Sequence, residues 1–147
     1  VQPLNPGGHS MIDGSIAIND RDKTEANKDF AKQVVNEILI NHHFEKLASY
    51  FVENYREHNP LLPDNLSALT EALQEQQGGR AIMQYSSIHL VLGEGNFVLV
   101  ASEGQFKGHP AGFYDMFRIE KEKVVEHWIT IEEIPPVENR KNKNEKF

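Results

Sequence analysis

About halfway along the chain the pattern of apolar residues changes at a pair of glycines, Gly78 and Gly79. Before them apolar residues recur every three to four positions, the helical period; after them β-branched and aromatic runs are broken by short polar turns. Helices first and then successive hairpins restrict the chain to an α+β architecture, with helices packed on one face of an antiparallel sheet. With 147 residues the chain matches one ordinary domain with one core, burying roughly 70% of its unfolded surface. Cysteine is absent, which excludes a disulfide framework, a thiol nucleophile and thiolate metal sites.

Residues 1–24 are rich in Pro, Gly, Asn and Asp and read as an irregular arm, after which Thr24 is placed to cap a helix. From Glu25 to about Asn41, Phe30, Val34 and Ile38 recur every fourth position, with Ala31, Val35 and Leu39 widening the stripe. A second helix is expected over His43 to Asn54, using Phe44, Leu47, Ala48 and Phe51, and a third from Leu66 to the glycines, capped by Asp64 or Asn65. Four strands are expected at 82–92, 96–106, 111–120 and 123–133, joined by "GEG", "KGHP" and "KEK". No internal repeat or mid-chain linker suggests a second domain. The expected organisation is an arm at 1–24, one domain at 25–136 and a polar tail at 137–147.

The 22 acidic and 15 basic side chains give a formal charge of -7, which opposes nucleic-acid binding. The one dense basic run, "NRKNKNEK" at 139–146, reads as a solvated end. No apolar segment reaches the roughly 20 residues of a membrane span. The chain begins at Val1, which fits either a processed exported form or a cytoplasmic protein and leaves the compartment open.

Three stretches carry candidate chemistry. In "GFYDMFRIE", period two puts Phe113, Asp115, Phe117 and Ile119 on one face, embedding a carboxylate between two phenylalanines. An unpartnered carboxylate there has its charged form disfavoured, which suits proton transfer near neutral pH. If the other face, with Tyr114 and Met116, is the buried one, Asp115 is instead solvated or paired with an arginine. Spacing leaves both open. In "VVEHWITIE", Val125, His127, Ile129 and Ile131 form one face and Val124, Glu126, Trp128 and Thr130 the other. A two-residue loop at Lys121 and Glu122 sets Asp115 opposite Trp128; a longer or bulged one sets it opposite His127 or Ile129. His127 alone reads first as a hydrogen-bonded core residue, and Trp128 as core with an indole donor. In "YREHNP", at 55–60, His58 and Asn59 stand before Pro60 and read either as a helix stop or as the polar floor of a pocket.

Other signals carry no function. "GHSMI" at 8–12 lacks the second glycine of a serine nucleophile elbow. His42 and His43 are adjacent and diverge on a helix, so they form no metal pair, and none of the glycine clusters has phosphate-loop context. His89, in a strand, has no evident task.

Together and in order, "YREHNP", "GEGNFVLV" and "YDMFRIEKEKVVEHW" resemble the SnoaL-like, polyketide cyclase-like branch of the NTF2-like superfamily, over residues 24–136. The resemblance implies a cone-shaped α+β barrel, N-terminal helices packed in a strongly curved antiparallel sheet, an open pocket, and a homodimer formed through the outer sheet surface. It also implies that Asp115 serves as acid/base and that His58 lies at the pocket. Ala101 stands where cyclases carry a histidine and Ile129 where H-W-D carries a carboxylate, while "KEK" replaces the D-G-K turn. The expected function is a cofactor-independent lyase, isomerase or cyclase without a metal, acting on a hydrophobic carbonyl compound. Asp115 and His58 would be catalytic, with His127, Trp128, Asn59, Phe113 and Phe117 binding the substrate. The alternative is a non-catalytic protein that binds an apolar small molecule in the same pocket, or a pure interaction domain with its cavity filled by side chains.

Overall fold

The computed structural model describes residues 16–78 and 82–147, except for the side chains of 75–78. Most of the arm expected at 1–24, including "GHSMI", and the end of the third helix at Gly79 lie outside the described residues. The described end of the arm is pinned rather than loose. Asn19 and Asn96 exchange hydrogen bonds, with the Asn19 N–H donating to Asn96 Oδ1 and the Asn96 N–H to Asn19 O, both at 2.9 Å. Thr24 Oγ1 accepts from the Gly95 N–H at 2.8 Å and donates to Arg21 O, so its hydroxyl ties down the first described hairpin instead of capping a helix.

Helix α1, Thr24–Val34, passes into a wider π-helical stretch at Val35–Ile40. Its stripe of Ala31, Val34, Val35 and Ile38 is buried in the core, as the four-residue recurrence indicates. The expected second helix is mostly absent. A 3-10 turn at Phe44–Lys46 and a single turn α2, Leu47–Tyr50, lead into strand β1, Phe51–Glu57. The local helical stripe loses to tertiary pairing, because β1 lies parallel to the last strand and buries Phe51, Tyr55 and Glu57. "YREHNP" is therefore the end of a strand. Helix α3, Leu66–Gly78, follows, and the Ala68 N–H donates to Asn65 Oδ1 at 3.0 Å, so of the two expected caps, Asp64 and Asn65, Asn65 serves.

Strands β2 (Met83–Glu94), β3 (Phe97–Phe106), β4 (His109–Glu120) and β5 (Lys123–Glu133) form the expected antiparallel meander. The sheet order is β1-β5-β4-β3-β2, so one parallel edge strand turns it into a mixed sheet. The β4–β5 turn places Lys121 at φ 49 and Glu122 at φ 60, the left-handed pair a tight hairpin requires. Beyond β5 the tail folds back: the Phe147 ring stacks on His89 at 4.5 Å, and Lys146 lies over Tyr114. Among the described residues no helix is long and apolar enough to cross a membrane.

Candidate active site

The alternation of β4 places Phe113, Asp115 and Phe117 on the inner face of the sheet, all essentially without solvent exposure. Of the two faces open from spacing, Asp115 occupies the buried one. The register shifts next to the β4–β5 turn, where Arg118 pairs with Glu126 but Ile119 with Val124, leaving Val125 as an extra residue. The bulge sets Asp115 opposite Ile129 and Met116 opposite Trp128, resolving the alternatives left by the loop.

Asp115 is far from solitary. Its Oδ1 lies 2.7 Å from His127 Nε2, and its Oδ2 accepts the hydroxyl of Tyr85 at 2.7 Å. The other imidazole nitrogen, Nδ1, lies 2.8 and 2.9 Å from the two carboxylate oxygens of Glu57, which β1 brings opposite His127. Asp115, Glu57 and His127 are all buried. With carboxylates on both ring nitrogens, each must be an N–H donor, so the ring is an imidazolium. Burial alone would push His127 down, but the Glu57 charge and the hydrogen bonds to Asp115 and Glu57 outweigh it and raise the ring from 6.5 to about 10. Burial, then the Asp115 charge and hydrogen bond, push the Tyr85 phenol far up, which keeps it a donor.

The neighbours fix these groups. The Tyr85 ring stacks on Phe113 at 4.2 Å, and Phe117 lies 5.0 Å from the His127 ring. Asn59 contributes through its backbone, whose N–H donates to Glu57 Oε1 at 3.0 Å, while the Glu57 N–H donates to Asp64 Oδ1 at 2.9 Å. Glu57, Tyr85, Asp115 and His127 form the polar floor of a cavity of ≈ 30 Å³. Its walls are apolar: Val34 and Ile38 from the first helix, Leu69 and Leu73 from α3, and Met83, Phe117 and Ile129 from the sheet. That volume suits a water molecule; a carbon-based ligand enters only if a wall moves.

Four residues expected in this pocket do not line it: Asn59 and Phe113 stand behind Glu57 and Tyr85, and His58 and Trp128 lie on the other face. His58 follows Glu57 directly and so projects to the opposite face, where its Nε2 lies 2.7 Å from Glu126 Oε1. Trp128 sits between His127 and Ile129, also on the outer face, with its ring flat against His58 at 4.9 Å and 1°. His58 and Asp115 thus share no cavity. Ala101 pairs with Tyr114 on the outer face, while Val100 stands opposite Asp115, so Ala101 marks no vacated pocket position. Ile129 does line the cavity and brings no carboxylate, but Glu57 supplies a second one beside Asp115.

Glu57 and Tyr85 went unrecognised in the sequence. Period-two reading of "FVENYRE" would have put Tyr55 and Glu57 on one face, and "MQY" puts Tyr85 beside Met83. Nothing local links either residue to Asp115 or His127. Among the described residues no group of three or more His, Cys, Asp or Glu is arranged to hold a metal ion.

No family model matches the chain, and no curated protein does. Solved structures do. A protein from Kribbella flavida assigned as a ketosteroid isomerase is 14% identical, with a TM-score of 0.66, over 85% of this chain and 93% of that one. A SnoaL-like polyketide cyclase from Agrobacterium tumefaciens is 10% identical, with a TM-score of 0.58, over 72% and 91%. An NTF2-like protein of unknown function from Cytophaga hutchinsonii is 13% identical, with a TM-score of 0.60, over 81% and 95%. The chain shares the NTF2-like fold of these structures.

Proposed function

We propose that this chain is a small-molecule acid/base enzyme acting on a hydrophobic carbonyl compound, with Asp115 as the proton-transfer group. The observation that carries the reading is the imidazolium of His127 held between Asp115 and Glu57 in an otherwise apolar cavity. Two carboxylates and one imidazolium leave the floor one negative charge in excess, so uptake of a proton by Asp115 brings it to neutrality. In the resting state Asp115 occupies the Tyr85 hydroxyl and the His127 Nε2–H. When Asp115 takes a proton from the carbon α to a carbonyl, the electron pair moves onto the carbonyl oxygen. The Tyr85 and His127 donors, no longer facing a charged carboxylate, are then released to that oxygen as its charge develops. Return of the proton to another carbon gives isomerisation. Attack of the enolate carbon on a second carbonyl of the same molecule, whose oxygen takes the proton back from Asp115, gives aldol ring closure.

The names of the fold neighbours, an isomerase and a cyclase, fit this chemistry. The test needs no known substrate: exchange of α-protons for deuterium in D2O, followed by NMR across a panel of small apolar ketones. The wild-type chain is expected to accelerate exchange and D115N to leave it at the buffer rate. Equal exchange by both proteins sinks the mechanism. The apolar walls also suit a second reading, a non-catalytic binder of an apolar molecule; it would show thermal stabilisation by the ketones with no exchange.

We further infer a homodimer through the outer face of the sheet, supported by Leu90 and Leu92 standing 50% and 51% exposed on β2. Light scattering of the eluting protein gives its mass directly, and a monomer at all concentrations removes the inference.

A further inference from the structure

Two Glu-His dipeptides lie side by side where β1 meets β5. Glu57-His58 ends β1 and Glu126-His127 lies within β5, with Arg56 paired to Glu126 and Glu57 to His127 in parallel register. Because consecutive side chains leave a strand on opposite faces, the dipeptides exchange partners. On the inner face Glu57 meets His127 at 2.8 Å, and on the outer face His58 meets Glu126 at 2.7 Å. Between the two, the backbone N–H of His58 donates to His127 O at 2.9 Å.

The outer pair is enclosed as well, although the His58 Nδ1 has no hydrogen-bond partner. Both side chains are almost fully buried, at 2% and 1% exposure. The second oxygen of Glu126 accepts from Arg118 Nε at 2.8 Å, and Trp128 lies flat on the His58 ring. The rest of β1 is less regularly attached, since its pairing with β5 is interrupted between Phe51 and Arg56. The end of the strand that carries Glu57 is held by local contacts: the Glu57 N–H on Asp64, the His58 N–H on His127 O and the His58–Glu126 pair.

We propose that His58 is a positioning residue: by clasping Glu126 across the outer face it fixes the end of β1 and so places the Glu57 carboxylate against His127 on the inner face. His58 acts through Glu57 and touches nothing in the cavity. The groups around His127 are Glu57 from β1, Asp115 from β4 and, behind Asp115, Tyr85 from β2, while the helices present apolar side chains such as Val34 and Leu69. Those around His58 are Glu126 from β5, Arg118 from β4 and the Trp128 ring.

The inference rests on Glu57 and His127 serving the proposed acid/base site, but its readout is the ionisation of His127, which requires no substrate. The imidazole signals of His127 are followed by NMR against pH in the full chain; in the wild type they are expected to change near pH 10. In H58A the midpoint is expected to fall by about one pH unit or more, a tenfold loss of proton affinity. In H58Q, whose amide N–H can still reach Glu126, most of the wild-type midpoint is expected to return. E126Q weakens the same outer pair with little change in volume and, should H58A fail to fold, tests the same dependence with the same expected direction. A wild-type midpoint in H58A or E126Q overturns the proposal. So does an equal loss in H58A and H58Q, which would mark a purely structural histidine. Failure of ketone exchange in the wild type bears on the enzymatic reading alone and leaves these midpoints unaffected.

Discussion

The sharpest perturbation of this site is Glu57→Gln, which keeps size and one acceptor oxygen but removes one of the two charges around His127. The His127 imidazole stands at about 10 in the folded chain against 6.5 for an ordinary histidine. A group raised in this way adds stability that is complete below its unfolded value and is lost as pH climbs through its folded value. The window here runs from pH 6.5 to about pH 10. At ~1.4 kcal/mol per pH unit, the whole window corresponds to a ceiling of ~5 kcal/mol. The Glu57 charge is the largest of the upward contributions, ahead of the hydrogen bonds to Asp115 and Glu57 and the charge of Asp115. Its removal is expected to lower the His127 midpoint by about two pH units, a loss of ~2–3 kcal/mol below pH 6.5. The assay is urea denaturation of wild type and E57Q at a series of pH values through the window, with the difference in unfolding free energy plotted against pH. The difference should be largest at the acid end and shrink towards zero near pH 10. A difference that stays constant across the window would refute the reasoning, because lost packing has no titration.

Asp115→Asn takes the other carboxylate away from a buried imidazolium and is expected to cost ~2–4 kcal/mol at neutral pH, read as a shift in the urea midpoint; a loss under ~0.5 kcal/mol would mean that His127 does not depend on Asp115. At the β4–β5 turn, Glu122 sits at φ 60, where a side chain is strained and glycine is not. Glu122→Gly should therefore stabilise the chain by ~1 kcal/mol, seen as a higher melting temperature, and a lower one would dismiss the strain. Asn65→Ala removes the cap on the Ala68 N–H from a residue at φ 82 and should cost ~1–2 kcal/mol, with the loss of helical circular dichroism beginning at lower temperature. An unchanged melting curve would show that the cap does not contribute.

By itself the sequence determined the class of fold and one face of the site. The period of four along α1 and the period of two along β4 are local, and each appears in the structure where the residues place it; of the two caps the sequence offered for α3, Asp64 and Asn65, the structure uses Asn65. Phe113, Asp115 and Phe117 share a face because alternation is a property of any strand, independent of what the strand packs against. Tertiary structure alone decided which face was buried, who partnered Asp115, and that "FVENYRE" pairs as a strand instead of continuing a helix. The Val125 bulge, not the two-residue turn by itself, set Asp115 opposite Ile129 and brought His127 to it. Tyr85 lies 30 residues from Asp115 and Glu57 lies 70 from His127, separations over which hydrophobic period carries no information about contact. The same limit misplaced His58. Its position beside Glu57 put it near the site in sequence, and the alternation of a strand, once β1 is known to be one, turned it to the far side of the sheet.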